Sequence, residues 1–594
     1  MDTYSINFFV ASAVAAVLAT VLTRRKRFCL TALFIAPVLH YVLFYNYDSG
    51  LVGGIFPLLV PYVGAIYSAI FFTFFLSFNP VLEQRSSVQR QSIVRMVVSS
   101  IVLFLLILYS QVIPWGIDTF PLSNVEVILF TVFAGGTEGS EEFVISSFIS
   151  DALRPAFCLF ACLVALLVTL SYFFSKRNIK GFFHFWKLRL TLTGRGFIEN
   201  FVHLEKFSLV AAAAYCFAIS FFLPGIVTSA PIHALFQQPI DSELYREHYA
   251  NPDSVIITAP QQPKNLIVIF LESMETNFAR YTPEIDSLFK QWGFAPGGVN
   301  VSGTSWTIAG ITGKLCGIPL NMPMGIEEYH GKLPTYLPHA SCLMNTLANQ
   351  GYEQVYVQGS SGDFTQKRDF WKVHGNVAIH DIEYFKEAGK IPQDYKVFWG
   401  FEDRKLYGFV KVELDSLAER GKPFALYMLT VDTHQPLGYT DDLCQKKFTD
   451  ESGKFPQALR CASMQLGEFL DWASGQPWYA NTVISVMGDH TMEMLSAKAN
   501  VSPHEQLYWT NFILNSTLSL PPKERQYSSF DMFPTLLEAM GFSLESRAMG
   551  LGKSLYSNEQ TLLERYGQKV LDSLLRERSI QYDYFLMGKP FGDD

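Results

Sequence analysis

NLIVIFLES, residues 265–273, holds six consecutive apolar residues that stop at Glu272. Its short length and its Ile and Val content mark a strand buried on both faces rather than a helix. Three further stretches have the same form: YEQVYVQGS at 352–360, FALYMLTVDTH at 424–434 and NTVISVMGDH at 481–490. Helix-length stretches such as 340–350 and 459–474 lie between them. Short β-rich runs alternating with helices predict an α/β fold with a mostly parallel sheet covered on both faces. Ligands of such sheets bind beyond the carboxyl ends of the strands. Glu272, Asp432, His434, Asp489 and His490 each follow a run, so all are expected on that rim.

Carboxylate oxygens with one imidazole nitrogen make a ligand set for Mn²⁺, Zn²⁺ or Mg²⁺. A hydroxyl completing such a site becomes more acidic, and so a better nucleophile. SGTSWTIAGITGKLCGIP, residues 302–319, offers three hydroxyls at a predicted helix start. Ser and Thr there cap free amides, and the same amides attract anions. Thr304, which follows Gly303, is the expected nucleophile, with Thr307 in the same turn as its competitor.

Outside this region the composition changes. The 594 residues are 49% hydrophobic, include 51 Phe and are only 17% charged. Apolar runs fall at about 5–22, 28–47, 51–78, 97–113, 155–174 and 207–224. Most approach the roughly 20 residues that a helix needs to cross a bilayer. The first run lacks a basic leader and is followed by Arg24, Arg25, Lys26 and Arg27, so it reads as a span rather than a cleaved leader. Basic loops recur at Arg85, Arg90 and Arg95 and between Lys176 and Arg195, while the alternate loops are poor in Lys and Arg. About six spans then place everything after residue 225 outside. VEVILFTVFAGG, 125–136, is too short to span and reads as interfacial or re-entrant. The expected division is a transmembrane domain over 1–225, a Pro-containing linker over 226–262, a catalytic domain over 263–560 and a tail over 561–594. A net charge of −8 leaves no nucleic-acid footprint, and no GxxxxGK[ST] loop for ATP is present.

Eight cysteines divide evenly between the halves. Cys29, Cys158, Cys162 and Cys216 sit in or beside apolar spans. Cys316, Cys342, Cys444 and Cys461 sit in the hydrophilic half, where an oxidising compartment favours disulfides. Spacing leaves the connectivity open; sequential pairing, 316 with 342 and 444 with 461, is the expectation.

Five blocks carry a resemblance: NLIVIFLES, GTSWTIAGITGKLCGIPL (303–320), YVQGSSGDF (356–364), LTVDTHQPLGY (429–439) and TVISVMGDH (482–490). In this order they resemble the sulfatase-like branch of the alkaline phosphatase superfamily. More narrowly, they resemble its membrane-anchored phosphoglycerol and phosphoethanolamine transferases, a group that includes lipoteichoic acid synthase and the phosphoglycerol transferase I enzymes of periplasmic glucan modification. The likeness covers about 240–555. It implies a sulfatase-like exported domain preceded by a helical, multi-pass domain in the bacterial inner membrane. It implies Glu272, Thr304, Asp489 and His490 as ligands of one divalent cation, most simply Mn²⁺, and Thr304 as covalent nucleophile. His434, Arg368 and His504 would contact substrate. The implied reaction moves phosphoglycerol from phosphatidylglycerol to a periplasmic or envelope glycan through a phosphothreonine. A phosphoethanolamine transferase acting on lipid A or core sugars, or a headgroup hydrolase, shares the same machinery.

Overall fold

The computed structural model describes residues 87–119, 147–177, 181–185, 188–192, 201, 204–205, 208–216, 239–321, 336–435, 438–449, 454–492, 506–521 and 523–587. The chain divides into two compact units, Met1–Ile117 with Phe143–Pro224, and Asp118–Glu142 with Gly225–Asp594.

In the first unit, helix α1 spans Ser87–Thr119 and α2 spans Arg154–Arg177 after a π-helical turn at Phe148–Leu153. Among the described residues, one helix is long and apolar enough to cross a bilayer, Phe148–Tyr172. Val97–Val112 is a shorter apolar helix. Their outward faces carry Val97, Ile101, Leu105, Phe157, Leu159 and Leu166, all exposed. Such a face suits hydrocarbon and not water. The expected spans at 5–22, 28–47 and 51–78 and the short run at 125–136 lie outside the described residues. The basic loop after α2 contains an antiparallel hairpin, Gly181–Phe185 with Leu188–Leu192.

The second unit is built on a six-stranded sheet. In chain order its strands are β1 (Asn265–Leu271), β2 (Glu353–Gln358), β3 (Ala378–His380), β4 (Phe424–Leu429), β5 (Thr482–Gly488) and β6 (Asn511–Leu514). The spatial order is β3-β2-β4-β1-β5-β6, parallel throughout except for β6, which runs antiparallel to β5. Every residue of β1, β4 and β5 is buried, as expected of central strands covered on both faces. Alternation splits β1 between two cores. Leu266, Val268 and Phe270 join the layer beneath α3 (Thr307–Cys316), α4 (Leu343–Asn349) and α5 (Met532–Ala539). Ile267, Ile269 and Leu271 join the layer beneath α6 (Asp403–Glu419) and α7 (Lys454–Ser474).

The stretches read as linker and tail are folded where they are described. Ile257–Thr258 pairs with Ser543–Leu544, and Ala250 bridges Gly550. Leu571, Leu575, Tyr582 and Phe585 enter the core that holds β1. The Tyr582 hydroxyl donates to the carbonyl of Pro319, at 3.0 Å. The first reads as a linker from its prolines, and pairing across nearly 300 residues leaves no local signal.

Disulfides join Cys316 to Cys342 and Cys444 to Cys461. The first ties the C-terminus of α3 to the N-terminus of α4 across a 26-residue separation. A loop of that length implies about 3 kcal/mol from constraint of the unfolded chain. We predict that peptide mapping without reductant recovers these two pairs. A Cys316→Ser/Cys342→Ser variant should lose about that stability when the unfolding of the second unit is followed in denaturant titrations of the full-length protein. Recovery of 316–444 or 342–461 peptides would contradict the pairing.

Candidate active site

Parallel register sets Leu271 beside Gly488 and Phe270 beside Leu429, so the residues after β1, β4 and β5 emerge together. Ligand atoms of Glu272, Asp489 and His490 all lie within 4.8 Å of one another, and all three residues are buried. His490 Nε2 is 3.7 Å from Glu272 Oε1 and 3.5 Å from Asp489 Oδ2. The backbone fixes the carboxylates. The amides of Ser273 and His490 both donate to Asp489 Oδ1 at 2.8 Å, which turns Oδ2 toward the trio. Ser273 Oγ donates to Glu272 Oε1 at 2.7 Å, from a residue held at φ 51°. A non-glycine residue in that region is strained and is held there by its surroundings.

Two carboxylates at one buried point repel. Burial first, and then the Asp489 charge, push the Glu272 carboxyl up to about 8. Asp489 Oδ2 is buried and takes no hydrogen bond among the described residues. An orphaned oxygen, a second carboxylate and an imidazole at such spacing fit a divalent cation of the Mn²⁺, Zn²⁺ or Mg²⁺ class.

The two threonines stand differently toward the trio. Gly303, at φ 76°, closes a tight turn, and Thr304 is spent on it. The Thr304 hydroxyl donates to the Val301 carbonyl at 2.8 Å and accepts from the Val301 amide at 2.9 Å, and the residue is fully buried. Thr307, three residues on, is the first residue of α3 and is partly exposed. Its Oγ1 lies 3.4 Å from Glu272 Oε2. The structure therefore brings Thr307 to the trio, and Thr304 serves the turn.

The same face of α3 holds the trio from behind. A Cβ on Gly310 would sit 2.1 Å from the Asp489 carbonyl oxygen, so only glycine allows the helix this close. One turn further, Lys314 is fully buried; its Nζ donates to that carbonyl at 2.6 Å and to Ser529 Oγ at 3.2 Å. It also lies 4.1 Å from the Trp509 ring centre. Burial pulls its ammonium down to about 7. Sequence reading passed over Lys314. Its signal was a lone charge at the i+7 position from Thr307 in an apolar helix.

On the β4 side, Glu272 N donates to Thr430 Oγ1 and Thr433 Oγ1 donates to the Glu272 carbonyl. Asp432 instead faces Asp403: Asp403 takes the amides of Val431 and Asp432, and Asp432 Oδ2 takes the Asp403 amide. This exchange braces the loop that carries His434. The His434 Nδ1–H donates to the Gln435 carbonyl at 2.9 Å, which leaves the lone pair on Nε2. Its ring lies 4.4 Å from that of Trp399, and burial lowers it to about 4, so it is neutral at pH 7.

Arg368 does not reach the trio. Its guanidinium is taken by Asp363, Asp381 and Glu383. Its neighbour Lys367 is buried instead, held by the Phe364 carbonyl at 2.9 Å. Burial lowers the Lys367 ammonium to about 8, opposed by the charges of Glu272 and Asp489. Thr365 and Gln366, at φ 56° and 55°, turn the chain so that helix α8 (Lys367–Val373) starts with Lys367 inward and Arg368 outward. His504 lies outside the described residues.

Gly310→Ala should force α3 off the Asp489 loop and lower stability by about 1–3 kcal/mol. A variant with unchanged denaturation would contradict the close approach. Asp489→Asn should weaken divalent-cation binding in calorimetry by at least about 100-fold, and equal affinity would place the cation elsewhere.

A family model described as sulfatase matches residues 264–542. Phosphoglycerol transferase I of Xanthomonas campestris pv. campestris is 30% identical over 316 residues, covering 50% of this chain and 44% of that protein. Phosphoglycerol transferase I of Citrobacter koseri is 32% identical over 252 residues, covering 41% of this chain and 32% of that one. The chain thus spans less than half the length of these curated relatives. Among solved structures, the lipoteichoic acid synthase LtaP of Listeria monocytogenes aligns with a TM-score of 0.42 at 17% identity, over 57% of this chain and 98% of that one. The sulfatase match encloses the whole six-stranded sheet, Thr307 and the Glu272–Asp489–His490 trio, so the region that carries the site is the region similar to that family.

Proposed function

We propose that this protein is a metal-dependent, membrane-bound phosphoglycerol transferase. It takes the headgroup of phosphatidylglycerol and delivers it to a glycan of the cell envelope. The observation that carries this reading is the Thr307 hydroxyl, at the open N-terminus of α3 and 3.4 Å from a carboxylate of the trio. A hydroxyl placed where helix amides converge is suited to attack an anionic phosphodiester. The apolar helices and the two disulfides support an inner-membrane protein whose catalytic domain faces the periplasm.

A divalent cation held by Glu272, Asp489 and His490, manganese in preference to zinc or magnesium, would supply positive charge that steadies phosphate oxygens and acidifies a neighbouring hydroxyl. The chain's own groups do the rest. Thr307 Oγ forms a bond to phosphorus as the bond from phosphorus to the diacylglycerol oxygen breaks. His434 Nε2 takes the threonine proton and passes it to the leaving oxygen. Lys367 and the first amides of α3 hold the phosphoryl oxygens. In the second half, a sugar hydroxyl attacks the same phosphorus, its proton returns through His434, and Thr307 is released. Membrane anchoring keeps the domain at high effective concentration beside its lipid donor.

Full-length protein in vesicles holding equal amounts of labelled phosphatidylglycerol and phosphatidylethanolamine should release diacylglycerol mainly from the former, with label appearing on added glycan. Thr307→Ala should lower both signals at least about 10³-fold, while Thr304→Ala keeps turnover and loses stability. Release mainly from phosphatidylethanolamine would make the protein a phosphoethanolamine transferase. Equal release with and without glycan, with no label transferred, would make it a hydrolase.

A further inference from the structure

A groove of about 960 Å³ runs between residues 249–253, 338–349, 372–376 and 580–585. That volume is at the upper end of ligand sites, about 300–1,000 Å³. Its walls come from the segments expected to be linker and tail, and from the two helices that flank β2. Its lining is unlike that of the catalytic rim. Two rings, His339 and Tyr584, lie with centres 5.7 Å apart, tilted by 45° to each other, and both residues are exposed. Five side-chain amides, Asn251, Asn345, Asn349, Asn376 and Gln581, line the same space. Among the described residues the side chains of Asn349 and Asn376 and the Tyr584 hydroxyl make no hydrogen bond within the protein. The charges are one of each sign, Lys372 and Asp253.

This chemistry selects a ligand class. A phosphate or lipid headgroup site would gather cations. Here the charge is balanced, so the occupant is neutral. An amide offers a donor and an acceptor side by side, which matches neighbouring hydroxyls of a sugar. Ring faces cover the apolar faces of a pyranose, as aromatic side chains do wherever a ligand has one wet and one apolar side. We infer that this groove binds a neutral oligosaccharide and holds the acceptor glycan while one of its hydroxyls is modified at Thr307.

Helix α8 supplies the geometry. Its first residue, Lys367, is buried near the catalytic carboxylates, and its far end, Lys372 and Val373, lines the groove. Seven helical residues span about 10 Å, so a glycan seated in the groove reaches toward the catalytic rim by extending a few sugar units along α8. A chain held there presents its hydroxyls at high effective concentration without needing tight contacts at the catalytic centre. The inference rests on the proposed glycan acceptor, and the test separates the two.

Full-length protein in nanodiscs is titrated with laminarihexaose and maltohexaose, and Tyr584→Ala and Asn349→Ala/Asn376→Gly, the glycine chosen because Asn376 stands at φ 49°, are compared with the parent. These side chains are exposed and unbonded, so folding should be unchanged. We expect saturable binding of at least one hexasaccharide, weakened about tenfold in both variants. The KM for that glycan as acceptor should rise by the same factor while kcat holds. Diacylglycerol release into water, without glycan, should be unchanged. If the parent transfers phosphoglycerol to the glycan with an equal KM in both variants, the groove is not the acceptor site and the transferase reading stands. If both hexasaccharides bind, and the variants weaken that binding while the parent transfers nothing to any glycan, the groove assignment stands and the acceptor reading fails. Absence of hexasaccharide binding in the parent overturns the inference outright.

Discussion

Two carboxylates meet at the buried ends of adjacent parallel strands, and the rest of the second unit is arranged around that repulsion. Unit charges about 4 Å apart repel by about 4 kcal/mol at an effective dielectric of about 20. Glu272 and Asp489 cannot separate, because β1 and β5 are paired along their whole length and fully buried. What the fold can do is surround them. Backbone amides bind Asp489, Ser273 binds Glu272, and His490 stands between them. The remaining imbalance is the attraction for a cation.

Helix α3 is the second half of the device. It meets the trio through Thr307, Gly310 and Lys314, three positions on one face. Gly310 sets how near the helix comes, Lys314 anchors it to the Asp489 carbonyl, and Thr307 is the hydroxyl so delivered. The disulfide at Cys316 holds the helix at its other end. Lys314 thus ties the position of the Thr307 hydroxyl to that of Asp489 through one buried ammonium, which a methionine of similar length would not reproduce.

The parts of this site that follow from one strand's hydrophobic pattern were legible in the sequence. Glu272, Asp489 and His490 each follow an apolar run, and parallel pairing brings strand ends together without further information. Two residues stand elsewhere than expected because their placement turns on backbone torsion. Gly303 at φ 76° spends Thr304 on a turn and passes its expected place to Thr307. Thr365 and Gln366, both left-handed, rotate Lys367 in and Arg368 out. No periodicity encodes a single positive φ in a Thr or Gln. The folded state of 239–262 and 561–587 was illegible for another reason, since its partners lie hundreds of residues away.

The central claim is that Thr307, at the start of α3, is the residue that carries the transferred group. Rapid acid quench of full-length protein turning over phosphatidylglycerol, followed by fragment-ion mass spectrometry of the 302–319 peptide, tests it directly. The account predicts the added mass of one phosphoglycerol on Thr307, and none on Thr304. The adduct on Thr304, or on a residue outside this peptide, would contradict it.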